Sequence, residues 1–265
     1  MRARLAGRTD VGLVRERNED GFIVVPEHRF AAVADGMGGH MSGDVASALA
    51  IDALREFYQK TVGPDRTWPF PYDASVSEEE NCLVVGVRLA NHQVFDRARS
   101  CALDAGMGTT IVAVMFTRDA RRVVVGHVGD SRCYRIRDGA IAQLTSDHSL
   151  VSEVTEIAPW LSAEELQSLP TNVITRALGM APEVAMDRRT LDTELGDKYL
   201  LCSDGLSGMV SDEQILEIAG ADTPIESICA RLVERANEAG GTDNTTVVLA
   251  VVEATPDEEG PTVTG

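Results

Sequence analysis

One pattern restricts this chain more than any other. Apolar, β-branched runs repeatedly meet a carboxylate flanked by glycine, asparagine or serine. "FAAVADGMGGHMSGD" places Asp35 and Gly36 after the run 30–34, and "YLLCSDGL" places Asp204 and Gly205 after another. "VVVGHVGDSR" does the same with Asp130. "GGTDNTT" sets Asp243 just before the last run, and "RERNED" sets Glu19 and Asp20 just before the first. A carboxylate at the mouth of a core is costly unless something positive meets it. Glycines beside it let backbone approach closely or take positive φ. The chain has 24 basic against 42 acidic side chains, so ion pairing alone is a poor answer. If the five ends converge, they form a site of oxygen ligands, which suits Mg²⁺ or Mn²⁺ and not zinc. Taken singly, each has a plainer explanation. Asp-Gly after a strand is usually a turn, "NED" can be a solvated cluster or a cap, and "GMGG" a loop or a phosphate cradle. A turn does not explain the same chemistry at five separate strand ends.

The runs that read as strands are 21–25, 30–34, 109–116, 122–129, 133–137, 140–145, 198–203 and 245–252. Asp138-Gly139 between two of them is a preferred hairpin turn. A helix is predicted from Gly43 to Tyr58, with Val45, Leu49, Ala53, Leu54 and Phe57 on one face. A second begins at Ser77, where Glu80 three residues on completes a capping box. Two more are expected over 211–219 and 223–239, started by Ser211 and by Asp222 or Thr223. Residues 63–75 read as a Pro- and aromatic-rich connector. The segment 146–171 is polar and broken by Pro159 and Pro170, with a short helix from Ser162. Strands joined by tight turns, with helix pairs after strand blocks, indicate an α+β sandwich of antiparallel sheets covered by helices.

At 265 residues the chain can form one large domain or two small ones. A net charge of -18 repels phosphate backbones and anionic lipid, so neither nucleic acid nor membrane is an expected partner. No run approaches the length of a membrane span, and no apolar stretch follows the basic N-terminus, so no signal peptide is expected. The five cysteines (Cys82, Cys101, Cys133, Cys202, Cys229) are odd in number and lack C-x-x-C spacing. They read as small buried thiols in a reducing cytoplasm, not as a disulfide framework or zinc site. Residues 254–265 have no periodicity and are expected to be disordered.

The motifs "VGLVRERNED", "ADGMGGHMSGDVAS", "MGTTIVAV", "HVGDSRCY", "LTSDHSLV", "VITRALG", "LLCSDGLSGMVSDEQI" and "GGTDNTTVVL" occur in this order. Together they resemble the bacterial branch of the PPM family of metal-dependent protein Ser/Thr phosphatases, over about residues 5–252. The resemblance implies a four-layer sandwich of two antiparallel sheets flanked by helix pairs, as one catalytic domain over 1–253. It implies Mn²⁺ or Mg²⁺, as two or three ions. By matched motifs, Asp35 bridges two metals, Gly36 offers its carbonyl, Asp204 and Asp243 complete the other side, Glu19 and Asp20 act through water, and Asp130 helps hold the third ion. Two cations roughly 3.5–4 Å apart can share a water and lower its pKa, giving a hydroxide that attacks phosphorus in line.

Arg15 matches the family arginine that grips phosphoryl oxygens, where a planar fork gives bidentate bonds. His40 is the best candidate to protonate the leaving alkoxide, with a structural or substrate-positioning role equally open. His127 and His148 are expected to be structural. The segment 146–171, with Trp160, corresponds to the family's flap, and 63–81 looks like an insertion. The implied partners are phosphorylated proteins, including a Ser/Thr kinase and its substrates, met by a monomer. Alternatives are a phosphopeptide-binding pseudophosphatase, a non-enzymatic divalent-cation protein, or a phosphatase dedicated to one regulatory protein.

Overall fold

A computed structural model describes residues 1–38, 42–60, 68–170 and 173–255. In chain order the strands are β1 (Arg2–Asp10), β2 (Asp20–Val25), β3 (Phe30–Met37), β4 (Gly108–Thr109), β5 (Ile111–Phe116), β6 (Arg122–Val128), β7 (Arg132–Arg137), β8 (Ala140–Gln143), β9 (Asp187–Asp192), β10 (Lys198–Cys202) and β11 (Thr245–Glu253). The helices are α1 (Gly43–Lys60), α2 (Glu78–Ser100), α3 (Leu150–Ile157), α4 (Ala163–Gln167), α5 (Asp204–Ser207), α6 (Asp212–Ala219) and α7 (Ile225–Glu238).

The strands form two antiparallel sheets, ordered β1-β11-β10-β7-β8 and β2-β3-β5-β6-β9, with β4 paired to β3. Side chains alternate across each strand, and here both faces are covered. Ala31 and Val33 of β3 join Val112, Tyr199, Leu201 and Val248 between the sheets. Their neighbours Ala32 and Ala34 face outward into a second core with Leu54 of α1 and Leu83 of α2. On the opposite outer face Leu200 and Val247 meet Ile215 of α6 and Leu232 of α7. Burial on both faces is why the central strands read as continuous apolar runs. The result is the expected four-layer α+β sandwich.

Several local expectations are corrected. The strand expected to stop at Ala34 continues to Met37, so Asp35 lies inside β3. Pairing carries it on, because Gly36 and Met37 register with Thr109 and Gly108 of β4. The run 109–116 divides at Thr110, whose N–H donates to the Asp35 carbonyl at 2.8 Å. Two strands were not foreseen, β1 and β9. Both are edge strands rich in charge, which hides the alternation while protecting the edge.

The helix expected to start at Asp222 or Thr223 starts at Ile225, after Pro224. A residue preceding proline is disfavoured in the helical region, which pushes the start past it. The Ser77 hydroxyl accepts the Glu80 N–H at 3.1 Å, but the Glu80 carboxylate turns to Arg188 at 2.6 Å, so the capping box is half formed. Helix α3 was also unforeseen; Ser149 caps it.

The Asp138-Gly139 turn forms with positive φ at both positions, as a two-residue hairpin requires. Cys82, Cys133, Cys202 and Cys229 are buried, Cys101 is partly exposed, and all five are thiols. Of the connector, Trp68 and Phe70 pack against the α1–α2 core; its residues 63–67 lie outside the described residues, as do His40 and the tail from 256. Among the described residues no helix is long and apolar enough to cross a membrane.

Candidate functional site

Strand pairing assembles the carboxylates. Asp20 and Asp35 are cross-strand partners in β2 and β3, and the Gly36 N–H donates to the Glu19 carbonyl at 3.0 Å. Asp204 opens α5 directly after β10. Asp243 lies in the loop that enters β11, and Asp130 in the turn between β6 and β7. Asp204 lies close enough to Asp35 to raise its pKa. The Ser203 hydroxyl donates to Asp20 Oδ2 at 2.8 Å. All seven predicted ligand residues are described, and they come together from six separate elements and loops.

Their electrostatics share one cause. Burial pushes Asp20 up to about 7 against the opposing hydrogen bonds of Thr246 and Ser203, with Asp204 and Asp243 adding to the rise. Asp35 is raised well above the usual carboxylate range, by burial first and then by Asp20, Asp204 and Asp130. Burial and then Asp243 raise Asp204, and burial and then Asp204 push Asp130 up to about 6. Glu19 is raised by burial and by Asp44. These are acids gathered close together with little counter-charge beside them.

The cation nearest to hand is Arg15, half exposed, whose Nη2 lies 2.7 Å from Asp243 Oδ2. Burial works against its charge, yet Asp243, then Glu19 and Asp204, hold its pKa above the ordinary value. The other Asp243 oxygen accepts the Asn244 N–H at 2.8 Å. Asp243 therefore stands between Arg15 and the inner acids.

Two glycines allow the loops to close. A Cβ at Gly36 would lie 2.0 Å from the Gly43 carbonyl oxygen and 2.6 Å from that of Glu19. At Gly205 it would lie 2.0 Å from the Asn244 carbonyl oxygen. Any larger residue would separate the backbones that bring the acids together.

Sequence reasoning missed the residues that hold this arrangement. Asn244 accepts the Glu19 N–H at 2.7 Å and donates to the carbonyls of Val11 and Arg17 at 2.9 and 2.8 Å. It thus ties the loop carrying Arg15 to the start of β11. Thr110 accepts the Asp35 N–H at 3.0 Å and pairs with Ser131 at 2.7 Å. Asp44, 3.7 Å from Arg17, adds a further acid beside Glu19. The available signal was polar side chains inside apolar motifs, "MGTT" and "DNTT", where burial demands a hydrogen-bond partner. The flap carries the exposed side chains of Trp160 (77%) and Ile157 (76%).

A two-sheet sandwich with paired covering helices and an all-oxygen acid cluster where strand ends meet has the architecture of the PPM phosphatases. The sequence matches the family profile for protein phosphatase 2C over residues 15–250, and the chain belongs to that family, in its bacterial branch. It is 40% identical over 251 residues to the serine/threonine protein phosphatase PstP of Mycobacterium tuberculosis H37Rv, covering 94% of this chain and 45% of that protein. It thus spans less than half of that relative's length. It is 35% identical over 246 residues to the serine/threonine phosphatase stp of Listeria monocytogenes EGD-e, covering 91% of this chain and 93% of that one. The crystal structure of M. tuberculosis PstP/Ppp superposes with a TM-score of 0.81 at 38% identity, over 96% of this chain and all of that one. A structure of the PstP catalytic domain in complex with two manganese ions gives 0.78 at 38% identity, over 95% and 99%.

Proposed function

We propose that this chain is a metal-dependent protein serine/threonine phosphatase that hydrolyses phosphoserine and phosphothreonine in cytoplasmic proteins as a monomer, opposing a bacterial Ser/Thr kinase. Residues 1–253 act as one catalytic domain. The observation that carries the reading is the group Asp20, Asp35, Asp130 and Asp204, of which the first three are half-buried and Asp204 is exposed, each with its pKa raised by desolvation and by a neighbouring acid. Asp130 Oδ1 is buried with no hydrogen-bond partner among the described residues. Such a group is paired with a cation or stays protonated, and its all-oxygen donors fit Mn²⁺ or Mg²⁺. The manganese in the related PstP structure supports the same choice.

Asp35, the Gly36 carbonyl, Asp204 and Asp243 would hold two ions, Asp130 a third, with Glu19 and Asp20 acting through water. Bound there, divalent ions supply the charge that lowers the pKa of water and offsets the charge of the phosphoryl group. Arg15 binds and orients the phosphate. Asp243 takes one guanidinium nitrogen, which leaves the other N–H groups of the fork for phosphoryl oxygens. His40, which lies outside the described residues, is the candidate to hold the proton for the leaving alkoxide. The complete set of acids argues against a pseudophosphatase.

The test is phosphate release from a phosphothreonine peptide and from p-nitrophenyl phosphate. Release is expected with Mn²⁺ or Mg²⁺ and none in EDTA, and Asp204→Asn is expected to lower kcat about 10²-fold or more with its circular dichroism intact. Strong turnover in EDTA that metal does not raise would sink the reading.

A further inference from the structure

Three titratable side chains outside the acid cluster meet behind Asp130. The rings of His127 on β6 and His148 at the base of the flap stack, with centroids 4.6 Å apart and planes 16° from parallel. Asp187, the first residue of β9, registers with His127. The ligand-type atoms of all three lie within 4.8 Å of one another, and these residue types can hold a metal. The hydrogen bonds argue otherwise. The Gly129 N–H donates to His148 Nδ1 at 3.0 Å and uses that nitrogen's lone pair. The neutral ring then carries its proton on Nε2, which leaves no lone pair there for a cation. His127 Nε2 faces the Ser146 carbonyl at 2.7 Å and is a donor as well. The Arg176 guanidinium, 3.1 Å from His148 Nε2, repels a cation further.

What the group holds is the turn that carries Asp130. His148 takes both polar backbone groups of Gly129. Its own N–H donates to the Gly129 carbonyl at 3.0 Å, and its ring accepts the Gly129 N–H. Gly129 has a φ of +106°, and Thr110 packs where a Cβ would go, at 2.6 Å. The next residue is Asp130, whose Oδ1 has no hydrogen-bond partner among the described residues, so its direction depends on the backbone behind it. Asp187 Oδ2 lies 3.3 Å from His148 Nε2, and the Arg176 guanidinium donates to the other Asp187 oxygen at 2.7 Å. The flap joins at the same point: the His148 carbonyl accepts the Thr175 N–H at 2.9 Å, and the Val173 carbonyl accepts the Leu150 N–H at 2.9 Å.

We propose that His148 is a positioning residue, its ring oriented by Asp187 and Arg176, that fixes the Gly129 amide and so aims the Asp130 carboxylate into the acid cluster. The consequence for metal affinity rests on the reading that Asp130 holds a cation. A histidine oriented by a carboxylate, acting one residue away from a ligand, is the kind of support whose loss costs about 10–100-fold in metal affinity.

Two variants separate positioning from bulk. His148→Asn keeps an acceptor oxygen near the place of Nδ1, and His148→Leu keeps size without the acceptor. Metal-stripped full chain is titrated with Mn²⁺ by calorimetry, exchange of the Gly129 amide is followed by NMR, and thermal midpoints check the fold. His148→Leu is expected to weaken the loosest Mn²⁺ binding about 10-fold and to speed Gly129 exchange, and His148→Asn to recover most of both. Parent-like Mn²⁺ affinity and exchange in His148→Leu would overturn the proposal. So would equal losses in both variants tracking an equal fall in thermal midpoint, since that marks a packing role only. A parent chain that neither binds nor needs Mn²⁺ would defeat the phosphatase reading instead; Gly129 exchange then still decides the His148 contact, and unchanged exchange in His148→Leu overturns it.

Discussion

Asp20→Asn should make the metal-stripped protein more stable while harming its catalysis. Asp20 is half-buried, and its folded pKa of about 7 stands above the ordinary 3.8. For an acid with a raised folded pKa, the folded state binds more protons than the unfolded state between those two values. Stability therefore falls as pH rises from about 4 through about 7. Keeping Asp20 ionised above that window costs the fold at most about 4 kcal/mol, at about 1.36 kcal/mol per pKa step. Asp204 and Asp243 repel it, and Asp35 in turn is raised partly by Asp20, so removing one charge relaxes the others and part of the gain overlaps. The asparagine oxygen can still accept from Ser203. A gain of about 2 kcal/mol at pH 8 is the reasonable expectation, or roughly 4–8 °C in Tm for a chain of this size. Urea or thermal unfolding in EDTA, run at pH 5 and pH 8, measures it. The variant should exceed the parent at pH 8, and the gap should narrow at pH 5. A variant less stable than the parent at pH 8, or a gap that does not change with pH, would refute the claim that these acids repel one another in the site.

On the proposed reading Arg15→Ala removes a group that binds phosphate in ground and transition states alike, so steady-state kinetics should show a raised KM and a lowered kcat/KM. His40→Ala should lose far more kcat on a phosphothreonine peptide, which leaves as a basic alkoxide, than on p-nitrophenyl phosphate; equal losses at saturating Mn²⁺ would remove His40 from the chemistry. Gly205→Ala must move backbone, because its Cβ would sit 2.0 Å from the Asn244 oxygen; a destabilisation of about 1–3 kcal/mol in chemical denaturation, with reduced activity, is expected, and parent-like behaviour in both would show that the loops can part freely.

The sequence determined which acids gather at the candidate site and the class of the fold. Carboxylates beside glycine at the ends of apolar runs are local in sequence and recur, so Glu19, Asp20, Asp35, Asp130, Asp204 and Asp243 could be picked out without knowing where the strands go. The two-faced burial of β3, β5 and β11 likewise left continuous apolar runs that announce central strands. Local punctuation held where one residue decides it, as at Asp138-Gly139 and the cap at Ser211.

Tertiary structure decided what depends on partners distant in the chain. Strands β1 and β9 exist because β11 and β6 offer them backbone hydrogen bonds; their own charged composition favours no such state. Asp35 lies within a strand and not at its end because β4, some seventy residues on, continues the ladder. The roles of Asn244, Ser203 and Thr110 were equally hidden, since a polar side chain shows its purpose only when burial deprives it of water and a particular partner replaces it. Asp243 shows the division most clearly. Its motif marks it as an acid at a strand entrance, but its pairing with Arg15, 228 residues away along the chain, is set by the packing that brings the first loop against the last strand.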